Sequence, residues 1–260
     1  MLPSHSYSGG MPRAATVPAL LDELLRADGA RPLITFYNLG TGERVELSVA
    51  TTDNWVAKTA NLLQDSLGVQ AGARITVDLP LHWQTVVWAL ACWRASCVLV
   101  VEGDGRTDVA VVRHPAAAGP QAPEKPAADA DDVVALALLP MGVPSPVPLP
   151  PGVLDYDAEV LGHGDRFTAN SPVTPDTPAV EVQGATTTHA DLLAAVGTAA
   201  EPATPRLLLT DPPTGVDALP AWLAAIASGG SLVLVTGADR PEHADALGDL
   251  VSSEQVTARA

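Results

Sequence analysis

Lysine is almost missing from this chain: Lys58 and Lys125 are the two among 260 residues, and the 14 basic residues are otherwise arginine. Chemistry that needs a lysine therefore has two candidates. Against 30 acidic residues the formal net charge is −16. The field around such a chain repels phosphate backbones, and no run of Lys and Arg offsets it, so nucleic-acid binding is excluded. Attraction to an anionic membrane surface fails on the same ground, and the acidic excess serves solubility. Cysteine is equally scarce. Cys92 and Cys97 are too few for a disulfide framework, and the spacing CWRASC is not a CxxC redox or zinc motif. Both read as small buried hydrophobes. No apolar run reaches the roughly 18 residues of a membrane span. The longest, Trp83 to Val101, is broken by Arg94 and Ser96. The N-terminus lacks a basic region followed by an apolar one. These absences predict a cytoplasmic protein without nucleic-acid or membrane partners.

What is present is a core-forming composition. The hydrophobic share is 47%, which rules out wholesale disorder even though 24 Pro and 21 Gly punctuate the chain. Residues 1–15 read as a flexible polar arm. Thr16 caps a helix with Pro18 in its first turn and Leu20, Leu21, Leu24 and Leu25 at helical spacing. Strands are expected at 32–38, 44–48, 75–79, 98–101, 109–112, 133–138, 179–182, 206–210 and 231–235. Helices are expected from Ser48 or Thr52 to Gly68, from His82 to Ala95, and over 188–200, 220–227 and 241–251. The Pro/Ala stretch 114–130 reads as a linker or long surface loop, and six prolines within 140–153 exclude a regular helix there. The alternation of strand and helix predicts an α/β fold of mostly parallel sheets covered by helices. It forms one domain over 16–260, or two lobes, 16–113 and 131–260, joined by the linker.

Three segments, in this order, resemble the N-terminal part of the adenylate-forming (AMP-binding) enzymes, which include acyl-CoA synthetases and amino-acid-adenylating domains. The helix Thr52–Leu63 leads through Leu67-Gly-Val-Gln-Ala-Gly72-Ala-Arg74 into Ile75-Thr-Val-Asp-Leu-Pro80, similar to the family's G-V-x-x-G-D-R-V-A-x-x-L-P, with Ala73 in place of the usual Asp. The helix before Val98 resembles A-x-L-A-x-x-x-A-G-A-x-x-V-P. Gly184-Ala-Thr-Thr-Thr-His-Ala-Asp-Leu-Leu193 looks like K-G-V-x-x-T-H-x-N-L, the stretch just after the family's phosphate loop. Leu207–Pro213 and Gly229–Val235 parallel the strand, turn and G-G-x-x-V-L-V strand that come next in the family. The likeness spans roughly residues 16–257 and implies a truncated acyl-CoA synthetase-like N-terminal domain, similar to a family of small actinobacterial proteins.

Adenylation attacks the α-phosphorus of ATP with a carboxylate, and the charge moving onto the leaving oxygens must be stabilised. The family uses a Ser/Thr/Gly-rich loop ending in Pro-Lys-Gly, because glycine lets backbone N–H groups converge on an anion. Here Thr174–Gln183 holds no Gly and no Lys and adds Asp176 and Glu181. A second register sets Gly184–Thr188 on the loop itself, and there too the Lys is absent. The resemblance thus implies a catalytically degenerate binding or partner-associated module without a cofactor. A protein partner, or a second copy, would dock on the surface left by the missing C-terminal domain. The alternative is a residual enzyme, completed by another chain, in which Thr186, Thr187, Thr188 and His189 retain an ATP or AMP contact with magnesium. Thr188 equally suits a helix cap, with Asp191 in a capping-box-like position.

Other constellations point elsewhere. No HExxH, paired CxxC, GxSxG or GxGxxG motif is present. His163-Gly-Asp165 and Gly103-Asp-Gly-Arg106 read as turns before they read as a metal or phosphate site. Trp55, Trp83, Trp88 and Trp93 read as core at a helix–sheet interface.

Overall fold

The computed structural model of the chain describes residues 14–103, 105–114, 129–196 and 204–260. Most of the arm 1–15, most of the linker 114–130 and the expected end of the helix at 197–200 lie outside these residues. The elements are α1 (Val17–Asp28), β1 (Pro32–Asn38), β2 (Glu43–Ser48), α2 (Val49–Asn61), β3 (Arg74–Asp78), α3 (Trp83–Arg94), β4 (Val98–Val101), β5 (Thr107–Arg113), β6 (Ala130–Leu136), β7 (Val153–Asp155), α4 (Tyr156–Glu159), β8 (Pro178–Val182), β9 (Ala185–Thr188), α5 (His189–Val196), β10 (Arg206–Leu209), α6 (Ala218–Ala227), β11 (Ser231–Thr236), α7 (Ala244–Ser253) and β12 (Ala258–Arg259).

Two sheets result. The first has the order β12-β10-β11-β1-β2, parallel except for β2. The second has the order β7-β6-β5-β3-β4-β8-β9, parallel except for β9. Both sheets take strands from either side of residues 114–130. Helix α3 lies between them, with every residue from Trp83 to Trp93 buried. A helix apolar all round needs a core on all sides, and its indoles make the contacts. The Trp93 Nε1 donates to Ala179 O at 2.8 Å, in β8 of one sheet. Its ring stacks on Trp222 of α6, which belongs with the other sheet, at 6.0 Å.

The helix starts agree with the expected caps. Thr16 Oγ1 accepts from Ala19 N and Ser48 Oγ from Thr51 N, which places the start of α2 at Ser48 rather than Thr52. Arg94, at the end of α3, binds Asp22 of α1 at 2.8 Å and Asp53 of α2 at 2.5 Å, so three helices share one guanidinium. A π-helical turn, Leu62–Ser66, closes α2.

Three strands differ from expectation. β7 comes directly after the proline-rich segment and β12 after the last expected helix, where the sequence predicts none, and residues 185–188 form β9, whose last residue, Thr188, still caps α5. The connection from β4 to β5 is unusual in another way. Parallel strands normally need a crossover of about a dozen residues, yet here residues 102–106 alone return the chain past β3. Gly103 makes this feasible, since a Cβ there would lie 2.5 Å from Val100 Cγ1. Arg74 pins the crossing by donating from Nη1 to Arg106 O.

Candidate functional site

In an open parallel sheet, ligands bind outside the carboxyl ends of the strands, where the winding direction reverses. In the second sheet that point lies between β3 and β5, because β4 succeeds β3 on one side and β5 returns to the other. The first sheet contributes to the same end of the molecule. Phe36 of β1 packs edge-on against His82, just beyond β3, at 4.6 Å, and Thr214 Oγ1 donates to Val77 O at 3.4 Å.

At this end of the sheet stands the N-terminus of α3. His82 caps it, its Nδ1 accepting from Gln84 N at 3.3 Å. Burial, together with the charge of Arg113, pushes the His82 pKa down to about 3, so the ring stays neutral. Gln84 Nε2 donates to Asp157 Oδ1 at 3.3 Å, and Ala137 N donates to Asp157 Oδ2 at 2.7 Å. Burial holds the Asp157 pKa above its ordinary value even against those two donors. Tyr156 OH and Thr59 Oγ1 are 2.7 Å apart beside it. His82 Nε2, Trp83 Nε1 and Gln84 Oε1 are buried without a protein partner. Sequence reasoning missed this cluster, because nothing in Asp155-Tyr-Asp157 distinguishes the cap Asp155 from the buried Asp157.

The proline-rich segment lies over this end. Pro140 borders a surface pocket with Thr41–Val45 of the β1–β2 hairpin. Gly142 (φ +66°) lies against Trp55 and Gln84, and His114 Nε2 bonds Val147 O at 2.9 Å.

At the other edge of the sheet stand the residues that the sequence singles out. β8 and β9 pair with Val182 opposite Ala185 and Glu181 opposite Thr186. Two residues, Gln183 (φ +48°) and Gly184 (φ +83°), join them. Positive φ at both central positions is the signature of a type I′ turn, the tightest hairpin connection. Glu181 is held by Arg74, at 2.5 Å from Nη2 and 3.0 Å from Nε. Thr186 and Thr187 lie on the edge strand with side chains on opposite faces. Thr188 Oγ1 accepts from Asp191 N at 3.1 Å and donates to Asp191 Oδ2 at 2.9 Å, closing the start of α5. His189 is fully buried. Its Nδ1 accepts from Val17 N of α1 at 3.4 Å, and burial lowers its pKa to about 4. The four side chains therefore do not converge on one point.

The remaining constellations are structural. Lys58 Nζ binds Asp165 Oδ1 at 2.7 Å and donates to His163 O at 2.6 Å, and Ser66 Oγ lies 3.2 Å from His163 Nε2. Among the described residues no group of three or more His, Cys, Asp or Glu could hold a metal ion. Nor is any helix there long and apolar enough to cross a membrane.

Comparison with known proteins places this geometry. The family model for AMP-binding enzymes matches residues 21–122. A TIGR03089 family protein of Mycobacterium tuberculosis is 39% identical over 223 residues, covering 85% of this chain and 89% of the relative. Among solved structures, the acyl-CoA synthetase of Brucella canis superposes with a TM-score of 0.74 at 16% identity, over 94% of this chain and 46% of that one. Coronafacic acid ligase from Pectobacterium brasiliense gives 0.71 at 12% identity, over 94% and 49%. The chain thus spans about half the length of these solved chains, and at such identities they establish the fold alone.

Proposed function

Since the chain belongs to the TIGR03089 family and is a short relative of the N-terminal domain of AMP-binding, acyl-CoA synthetase-like enzymes, we propose that it is a catalytically degenerate member of that fold, acting as a binding or partner-associated module. The observation that carries the proposal is the two-residue Gln183-Gly184 turn. In the register where Gly184–Leu193 succeeds the phosphate loop, that loop belongs between β8 and Gly184, and Gln183 is all that stands there. A hairpin this short satisfies its own backbone groups in the ladder and leaves no converging N–H groups for phosphates. The Glu181 carboxylate beside it repels a triphosphate, and the cation against it, Arg74, is already paired with it. The residues present do not fit magnesium-bound ATP. A protein partner or a second copy on the surface that longer relatives cover with further chain completes the reading.

The test is thermal unfolding with millimolar ATP and magnesium, and separately with a non-hydrolysable acyl-adenylate analogue, in the presence of fatty and amino acids. A ligand that binds the native state raises the melting temperature by mass action. No shift is expected. A saturable rise would support instead the residual nucleotide site at Thr186–His189.

A further inference from the structure

The segment Pro140–Gly152 carries no charged residue on a chain of net charge −16, and six of its thirteen residues are proline. From Val143 to Pro151 every residue is a proline or directly precedes one. Proline fixes its own φ near −65°, and the residue before a proline is pushed out of the helical region into extended or polyproline II geometry. Val143, the first residue of this stretch, has φ −72° and ψ 133°, close to polyproline II. The chain turns at Pro140–Gly142, bends at Pro146–Val147, where Ser145 Oγ accepts from Val147 N at 3.1 Å, and turns again where Val153 N donates to Pro150 O at 3.2 Å.

The segment is held from below and open above. Gly142 rests on Trp55 and Gln84, and His114 grips the carbonyl of Val147 rather than its side chain. Val143 and Val147 are accordingly 54% and 48% exposed, among the most exposed large apolar side chains of the described residues. The prolines at 144, 146, 148, 150 and 151 are exposed with them. Val147 is braced by its backbone, which leaves its apolar side chain facing outward.

From this we infer that Val143–Pro151 is a docking ligand for a partner protein presenting an aromatic-lined groove with a basic rim. The inference rests on the partner-associated reading and names the partner's chemistry. Aromatic grooves recognise polyproline II segments because the ligand is already extended and loses little freedom on binding. The groove's rim is basic because the acidic field of this molecule steers cationic surfaces toward it.

The test places a photo-crosslinking benzoylphenylalanine at Val147 of the full chain in the cells that encode it. The captured protein is identified and purified. Its binding is then measured by calorimetry and by quenching of its own tryptophan fluorescence, with the synthetic peptide 140–152 as competitor. The expected result is competition by the peptide and affinity lowered about tenfold or more by combined Pro144→Ala, Pro146→Ala and Pro148→Ala, which removes preorganisation. Unchanged circular dichroism of that variant separates lost docking from lost fold, and peptide competition stands even if the variant misfolds. A captured protein that ignores the peptide overturns the inference and leaves the partner-associated reading intact. Absence of any captured protein overturns the inference as well, while nucleotide binding would overturn that reading alone.

Discussion

His82 and His189 sit where water does not reach, and each is held neutral in the folded chain, with pKa values of about 3 and about 4 against an ordinary 6.5. The unfolded chain binds protons on these rings below pH 6.5 while the folded chain does not, so their contribution to stability is present above 6.5 and is lost as pH falls toward 4. Glu254 acts in the same direction. Burial alone would raise its pKa, but hydrogen bonds from Tyr37 and Arg206 and the charges of Arg206 and Arg44 outweigh it and hold it below the ordinary 4.5. Its contribution is present above 4.5 and is lost as pH falls through the depressed folded value. Against the opposite contribution of Asp157, Asp53 and Glu43, whose carboxyls burial raises, the histidine contribution is read by difference: between pH 7 and pH 4 the urea midpoint of His189→Gln should depend on pH less in the falling direction than that of the parent. An identical pH dependence in the two proteins would contradict the burial assigned to His189. Gly230 is a second sensitive residue. A Cβ there would overlap Pro205 O and Ala225 O, both backbone atoms that cannot swing aside. Gly230→Ala is expected to cost about 3 kcal/mol or more, read as a drop in melting temperature or as insoluble expression.

At the scale of the element, the β8–β9 hairpin is the sharpest feature. Type I′ turns favour Asn-Gly because both central residues need positive φ, and Gln183 occupies the first of these at φ +48°. Gln183→Asn should stabilise the protein by about 0.5 kcal/mol, and Gly184→Val should destabilise it by about 1 kcal/mol or more. Equal effects of the two changes on melting temperature would argue against the turn. This hairpin also marks the limit of what can be read in the residues. Thr16, Pro18 and the leucines after them declare α1, and Pro80 with the largely apolar stretch behind it declares α3, because caps and periodicity are local signals. Residues 185–188 are legible only as a cap, because a four-residue strand of Ala and Thr acquires its identity from β8 across the turn. β7 is hidden likewise, three residues long and paired with β6. The polar cluster on Asp157 is beyond reach, since it joins residues 20 and 73 positions away in sequence.

Across the whole molecule, one apolar helix holds two sheets together, and its stability should be concentrated there. Trp222 is fully buried, stacks on Trp93 and donates to Pro213 O at 2.8 Å. Trp222→Ala is expected to cost about 3–5 kcal/mol, lowering the denaturation midpoint far more than any change on the proline-rich segment. Under the proposed function, a sheet that keeps its winding loses a phosphate-binding loop without losing its core. The most direct measurement is pyrophosphate release by the purified chain supplied with ATP, magnesium and a panel of fatty and amino acids. The account predicts no release above that of a protein-free control, and sustained release dependent on one of the acids would contradict it.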